Sequence, residues 1–176
     1  MNLQGKNIIL RAPEVSDLDV LYLWENDPEI WHISNTLVPF SKYILKKFIE
    51  NSHLSILETK QVRFMIDLKN DNKHIPIGTI DLFDYEPLHS RIGIGILIKE
   101  EKNRQKGYAS EALSLALNYC FNFLQINQVF CNILIDNEIS IKLFKKFGFE
   151  ITGCKKQWLK INNHYKDEYI LQLIRK

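Results

Sequence analysis

The chain holds no apolar stretch near the ~18 residues that a membrane-spanning helix needs. Its first residues, Met1-Asn2-Leu3-Gln4-Gly5-Lys6, also lack the apolar core of a signal peptide. Both absences lead to the expectation of a cytoplasmic protein with no membrane partner. Cysteine is scarce: Cys120, Cys131 and Cys154 form no C-x-x-C pair, and the odd count argues against a disulfide framework. All three sit among apolar neighbours and are expected as buried thiols. The five histidines (His32, His53, His74, His89, His164) have no ligand spacing, so no metal is expected. No G-x-x-x-x-G-K-[ST] phosphate loop occurs, and the one G-x-G, Gly93-Ile94-Gly95, lies inside an apolar run rather than after it. A net charge of +2 is too small to imply a nucleic-acid partner. No repeat, low-complexity segment or Pro/Gly/Ser linker divides the 176 residues, so a single domain over residues 1–176 is expected.

What is present is an uneven charge distribution and an alternation of strand-like and helix-like patterns. Residues 1–98 carry 10 Lys and Arg against 13 Asp and Glu, a net of −3; residues 99–176 carry 13 against 8, a net of +5. The basic half suits a polyanionic cofactor, and the acidic half (Glu14, Asp17, Asp19, Glu25, Asp27 and Glu29 with no intervening base) suits a cationic substrate or a solvated helix face. Asn7–Arg11 reads as a strand, and Ser16 as the N-cap of a helix running to about Glu25 and stopping before Pro28. Ser41 caps a second helix with Ile44, Leu45, Phe48 and Ile49 as its apolar face. Gln61–Leu68 and Ile75–Phe83 alternate as paired strands around the polar tip Lys69–Lys73, and a loop from Asp84 to Ser90 leads into the apolar run Ile92–Ile98. A helix follows from Ser110, with Leu113, Leu117, Phe121 and Leu124 at helical spacing. Then come a buried strand, Gln128–Ile135, a short helix capped by Asn137 and ended by Gly148, and two last strands, Phe149 to about Lys160 and Tyr165 to about Ile174. This predicts an α/β chain of the α+β type with a mixed central sheet of about seven strands, its central strand–helix–strand unit a right-handed parallel crossover.

The segment Arg104-Gln105-Lys106-Gly107-Tyr108-Ala109-Ser110 joins the apolar strand to the central helix. The first N–H groups of a helix lack intrahelical partners, and the macrodipole makes that end positive. A glycine lets a ligand approach the backbone closely, so the loop suits a phosphate or pyrophosphate. Taken alone such a loop is more often an ordinary helix cap with solvated charges.

With its neighbours, the loop resembles the GNAT acetyltransferase superfamily. The family pattern Gln/Arg-x-x-Gly-x-Gly/Ala is matched by Arg104, Gly107 and Ala109. Asn137-x-x-Ser140-x-x-Leu143-Phe144-Lys145-Lys146-Phe147-Gly148-Phe149 is similar to the family's last short helix. Leu10-Arg11-Ala12-Pro13 with Asp17, Trp24-Glu25-Asn26-Asp27, and Gly153 through Tyr165-Lys166-Asp167-Glu168 resemble the branch of ribosomal-protein N-terminal and spermidine acetyltransferases. The resemblance implies helices on both faces of the sheet, splayed fourth and fifth strands, and acetyl-CoA as cosubstrate with no metal. It places the pyrophosphate on the backbone of Gln105, Lys106, Gly107, Tyr108, Ala109 and Ser110, beside Arg104. The pantetheine arm falls on main-chain groups of Ile96, Leu97 and Ile98, and Asn137 and Ser140 line the cofactor. The implied reaction is transfer of an acetyl group to a primary amine, either a polyamine or a peptide N-terminus. Oligomeric state is left open, a homo-oligomer included.

Two family positions depart from the pattern. Phe144 stands where a tyrosine acid often protonates the leaving thiolate, and Gly93 where some members place a glutamate base. Three substitutes are open: Ser140 as a proton donor, a carboxylate such as Asp81, Asp84 or Glu29 acting through water, or positioning alone. The acceptor is expected near Glu29, Trp31, Asp81 and Asp84, with Trp31 and His32 in a loop between the first two helices. Two rivals to an amine acetyltransferase follow from the same residues: a catalytically silent CoA-binding sensor or partner module, and a binder of some other phosphate ligand.

Overall fold

The computed structural model describes residues 3–34, 36–70 and 74–175. Seven strands form one sheet in the order β1-β2-β3-β4-β5-β7-β6. They are β1 (Ile8–Arg11), β2 (Val62–Leu68), β3 (Ile75–Glu86), β4 (Arg91–Ile98), β5 (Gln128–Leu134), β6 (Glu150–Ile161) and β7 (His164–Ile174). Every neighbouring pair is antiparallel except β4–β5, which is parallel. The helices are α1 (Leu18–Glu25), α2 (Pro28–Ser34), α3 (Lys42–Glu50), α4 (Ile56–Thr59), α5 (Tyr108–Asn118) and α6 (Glu138–Lys146).

Period-two alternation assigns each strand residue to a face. Ile66, Ile80, Leu82, Ile92, Ile94, Val129, Cys131 and Leu171 pack in one cluster with Ala112, Leu113, Ala116 and Leu117 of α5 and Phe144 of α6. On the opposite face Met65 packs with Leu21 and Trp24 of α1 and Ile49 of α3. Helices thus cover both faces. The Asp17 and Asp67 carboxylates are buried because both close on Arg11, whose guanidinium donates to Asp17 at 2.6 and 2.8 Å and to Asp67 at 2.6 and 3.2 Å.

Several local expectations change. A 3-10 turn, Val15–Asp17, precedes α1, and its start is fixed by Asp17, which accepts from the Glu14 N–H at 2.7 Å; Ser16 caps nothing. The segment after Pro28 is helical, because Asp27 accepts from the Glu29 and Ile30 N–H groups and so starts a new turn where a loop was expected. The side chain of His32 and the tip residues 71–73 lie outside the described part. α4, a one-turn helix absent from the sequence reading, is set by the capping box of Ser55 and Glu58. β3 continues to Glu86 through a bulge at which Asp84 has φ +49°, so the expected loop from Asp84 is shorter. α5 begins at Tyr108 rather than Ser110 and ends in a π-turn, Tyr119–Phe123. Cys120 and Cys131 are buried, but Cys154 is exposed, on a strand, β6, that buries no residue on either face. The caps at Ser41 and Asn137 and the left-handed Gly148 (φ +88°) stand as expected. Among the described residues no helix is long and apolar enough to cross a membrane.

Candidate active site

The site begins where the parallel pairing stops. β4 and β5 share only Arg91↔Gln128, Ile92↔Val129 and Gly93↔Phe130, although β4 runs on to Ile98 and β5 to Leu134. The two strands splay from that point. The Lys99 N–H donates to the opposed Ile77 carbonyl at 3.0 Å. Alternation along an antiparallel strand then turns the amide and carbonyl of Leu97 onto Thr79 of β3, and those of Ile96 and Ile98 toward the gap. Of the three residues expected to meet an extended arm, two therefore present main-chain groups to the wedge.

At the wide end of the gap a 3-10 turn, Glu101–Asn103, leads into the basic loop. Gln105 (φ +58°) and Gly107 (φ +86°) are both left-handed, which swings the chain into α5 with no side-chain cap. The first intrahelical bond is Glu111 N–H to the Gly107 carbonyl, which leaves the N–H groups of Tyr108, Ala109 and Ser110 pointing out of the helix end. Arg104 is committed elsewhere: its guanidinium donates to the carbonyls of Ile98 (3.0 Å) and Lys99 (2.9 Å), closing the end of β4. Lys106 is exposed on the loop, and Lys146 of α6 reaches the Ser110 hydroxyl at 3.3 Å. The result is a positive, amide-lined mouth suited to a diphosphate. Across from it, Asn137 accepts from the Ser140 N–H at 3.2 Å and so occupies its side-chain oxygen in capping α6; the Ser140 hydroxyl makes no hydrogen bond among the described residues.

The two departures from the family pattern have packing reasons. Phe144 is only 3% exposed, and its ring stands edge-on against Phe149 with centroids 5.0 Å apart. It belongs to the core and offers no proton. At Gly93 a Cβ would lie 2.3 Å from the Phe83 ring, which covers the last paired position and meets Phe130 edge-to-face. A side chain at position 93 would have to displace that ring. Gly95 has ordinary room beside the same ring, so β4 presents bare backbone next to its cross-strand neighbour Asp81.

Above that stretch, on the α1–α3 face, opens a cavity of about 520 Å³ whose floor includes Asp81, Gly95, Ile96 and Leu97. One wall is Ile30, Phe40, Ile44 and Phe48. Arg63 bridges the Glu25 carboxylate and Asp81, the latter through Nε at 2.5 Å, and lies over the Phe48 ring. Burial works against the Arg63 charge, but the two carboxylates outweigh it and raise its pKa. Of the four residues expected at the acceptor, Asp81 alone lines the cavity. Trp31 donates its indole N–H to the Glu25 carbonyl at 2.9 Å and so braces the α1–α2 corner. Glu29 is exposed on the first turn of α2, and Asp84 is exposed on the β3 bulge. Sequence reasoning missed Glu25 and Arg63 as a unit. The available signal was polar residues (Arg63, Asp81) alternating on strands whose other residues are apolar, which in a sheet covered on both sides demands mutual pairing. Lys99 pairs with Asp27, whose pKa is lowered by that hydrogen bond, and ties the end of β4 to the α1–α2 corner. Among the described residues no group of three or more His, Cys, Asp or Glu side chains gathers to hold a metal.

Comparison with known proteins agrees with this geometry. The acetyltransferase (GNAT) domain profile matches residues 7–150. An uncharacterized N-acetyltransferase, p20, of Bacillus licheniformis is 27% identical over 175 residues, covering 99% of this chain and 96% of its own. A spermidine N(1)-acetyltransferase of Vibrio cholerae is 25% identical over 174 residues, covering 96% and 95%. The crystal structure of spermidine N-acetyltransferase from Vibrio cholerae in complex with CoA and spermine superposes with a TM-score of 0.84 at 21% identity, covering 97% of this chain and 96% of that one. With its parallel β4–β5 pair opening into a wedge, the chain belongs to the GNAT acetyltransferase family and is an N-acetyltransferase.

Proposed function

We propose that the chain, acting as one domain, uses acetyl-CoA to acetylate a primary amine. The observation that carries this reading is the early end of the β4–β5 register at Gly93↔Phe130, which turns the amide and carbonyl of Ile96 and the amide of Ile98 toward the gap, beside a cavity floored by Asp81, while the Ile98 carbonyl is held by Arg104. The residues fit the cofactor on two counts. The amides of Tyr108, Ala109 and Ser110 supply donors for the diphosphate, with positive charge from Lys106 and Lys146; Ile96 and Ile98 accept the arm as an added strand would be accepted. When bound, acetyl-CoA supplies the activated acetyl thioester.

The chain's own residues then have three tasks. The first is to present the amine uncharged. An alkylamine of pKa ~10.4 is well under a hundredth neutral at pH 7, whereas an α-amine of ~7.7–8.0 is roughly a tenth neutral. The amine docks at Asp81 as an ammonium and sheds its proton to water before attack, a loss that the apolar walls ease by disfavouring charge. The second is to stabilise the oxygen of the attacked carbonyl, a task for a gap-facing amide of β4 at Ile96. The third is to return a proton to the leaving sulfur, for which Ser140 has a free hydroxyl on the far side of the wedge. Positioning accounts for the rest of the acceleration.

The test is a calorimetric titration with acetyl-CoA, followed by a screen of amines for thiol release. Saturable binding and amine-dependent thiol release are expected, and Ser140→Ala slows release tenfold or more. Adenosine phosphates lacking the pantetheine arm that bind as tightly as CoA would overturn the reading.

A further inference from the structure

The cavity beside β4 carries a charge that its walls cannot share widely. Of the described residues that line it, Glu25, Arg63 and Asp81 are charged, and Thr79 and Gln61 are neutral and polar. Arg63 contacts both carboxylates at once, so the cluster sums to a single negative charge. All three side chains are largely covered: Arg63 is 20% exposed, Glu25 13% and Asp81 30%. Around them stand Ile30, Phe40, Ile44, Phe48, Phe83 and Leu97. A charge surrounded by such walls needs a partner within hydrogen-bond reach, or it meets the desolvation cost alone. One ammonium has that partner; a second, a few carbons along the same molecule, has none among these residues.

Resting on the acetyl-transfer reading above, we propose that the acceptor is a monocationic primary amine with an apolar body, and that Arg63 sets this limit by neutralising one of the two carboxylates. The chemical class is an alkyl or aralkyl amine, or an uncharged amine-bearing chain of similar bulk. The amine replaces water at Asp81, beside the bare backbone of Gly95, and its apolar portion lies along Ile44 and Phe48. Polyamines, which carry several positive charges, are disfavoured by the same accounting over the described lining, and this separates the chain from its spermine-bound structural relative. Arg63 acts through the carboxylates and is a specificity-determining residue rather than a catalytic one.

The experiment compares n-hexylamine with 1,6-diaminohexane, which differ by one terminal ammonium, by calorimetry on the full chain with and without CoA. The wild type binds hexylamine at least tenfold more tightly than the diamine. Arg63→Gln takes the cluster to two negative charges and shrinks or inverts that ratio by at least tenfold, with circular dichroism reporting the fold. Glu25→Gln takes the cluster to zero; it weakens hexylamine tenfold or more and leaves the neutral 1-hexanol unchanged. The Glu25→Gln arm stands even where Arg63→Gln fails to fold. The proposal is overturned by diamine or spermidine binding the wild type as tightly as hexylamine, by a ratio that a folded Arg63→Gln leaves unmoved, by equal losses of hexylamine and hexanol in Glu25→Gln, or by no binding of either amine. Hexylamine that binds selectively yet yields no thiol release from acetyl-CoA would count against the acetyl-transfer reading and leave the specificity standing.

Discussion

Replacing Gly107 by alanine separates the mouth of the wedge from the stability of the fold. Gly107 has φ +86°, and a Cβ built there meets no heavy atom within 4 Å. The substitution therefore carries no packing clash, and its cost is the left-handed backbone alone, about 1–2 kcal/mol for an L-residue. For a chain of this size each kcal/mol shifts the melting temperature by about 2–4 °C, so a fall of about 2–8 °C is expected. The new methyl enters open space at the start of α5, where the diphosphate is proposed to sit. Acetyl-CoA affinity should fall at least tenfold, about 1.4 kcal/mol. Gly148 provides the internal control: its φ is +88°, its added Cβ would make an ordinary 3.5 Å contact with Leu173, and it lies past the far end of α6. Gly148→Ala should melt earlier by a similar amount and bind acetyl-CoA like the wild type. Paired calorimetry and thermal melts decide the matter. If both variants lose affinity equally, or if Gly107→Ala binds normally, the amide cradle is not at the N-terminus of α5.

Three further outcomes follow from features away from the mouth. For Asp17, burial acts to raise the pKa, but hydrogen bonds from Arg11 and the Glu14 N–H outweigh it and hold the carboxylate below its ordinary 3.8; the stabilisation is complete above that value and is lost as pH falls below it. Asp17→Asn should cost about 1–3 kcal/mol at neutral pH and flatten the loss of stability below about pH 4 in acid melts, and an acid limb unchanged from the wild type would refute this. Burial pushes the Cys120 and Cys131 thiols up to about 12, so a disulfide reagent should titrate one thiol per native chain, and none in Cys154→Ser. Phe144→Tyr should lower stability by about 1–3 kcal/mol through a buried hydroxyl without raising turnover, and a tenfold rate increase would show that the ring reaches the reaction centre after all.

The strands were legible because period-two alternation is strong where one face is core: Val62, Phe64 and Ile66, or Ile92 and Ile94, could face only one way. The Asn137 cap and the left-handed Gly148 were legible because each is a local rule between residues a few positions apart. α2 and α4 were not, because each is too short for a period to register and each is fixed by a single cap, Asp27 or Ser55. The acceptor cavity was half legible: Asp81 was named, but Glu25 and Arg63 meet it only through the register of β2 on β3 and the docking of α1. The glycine at position 93 could be noticed in the chain, but its cause, the Phe83 ring lying over it, exists only once β3 and β4 are paired.

The three-residue seam between β4 and β5 divides the seven strands into a group of four and a group of three that share little hydrogen bonding of their own. With the cofactor lying along Ile96 and Ile98 as proposed, the two groups would be spliced, and each product departure would return the chain to its less cohesive form. Amide exchange along the outer halves of β4 and β5 would then slow on adding that cofactor and quicken on its removal.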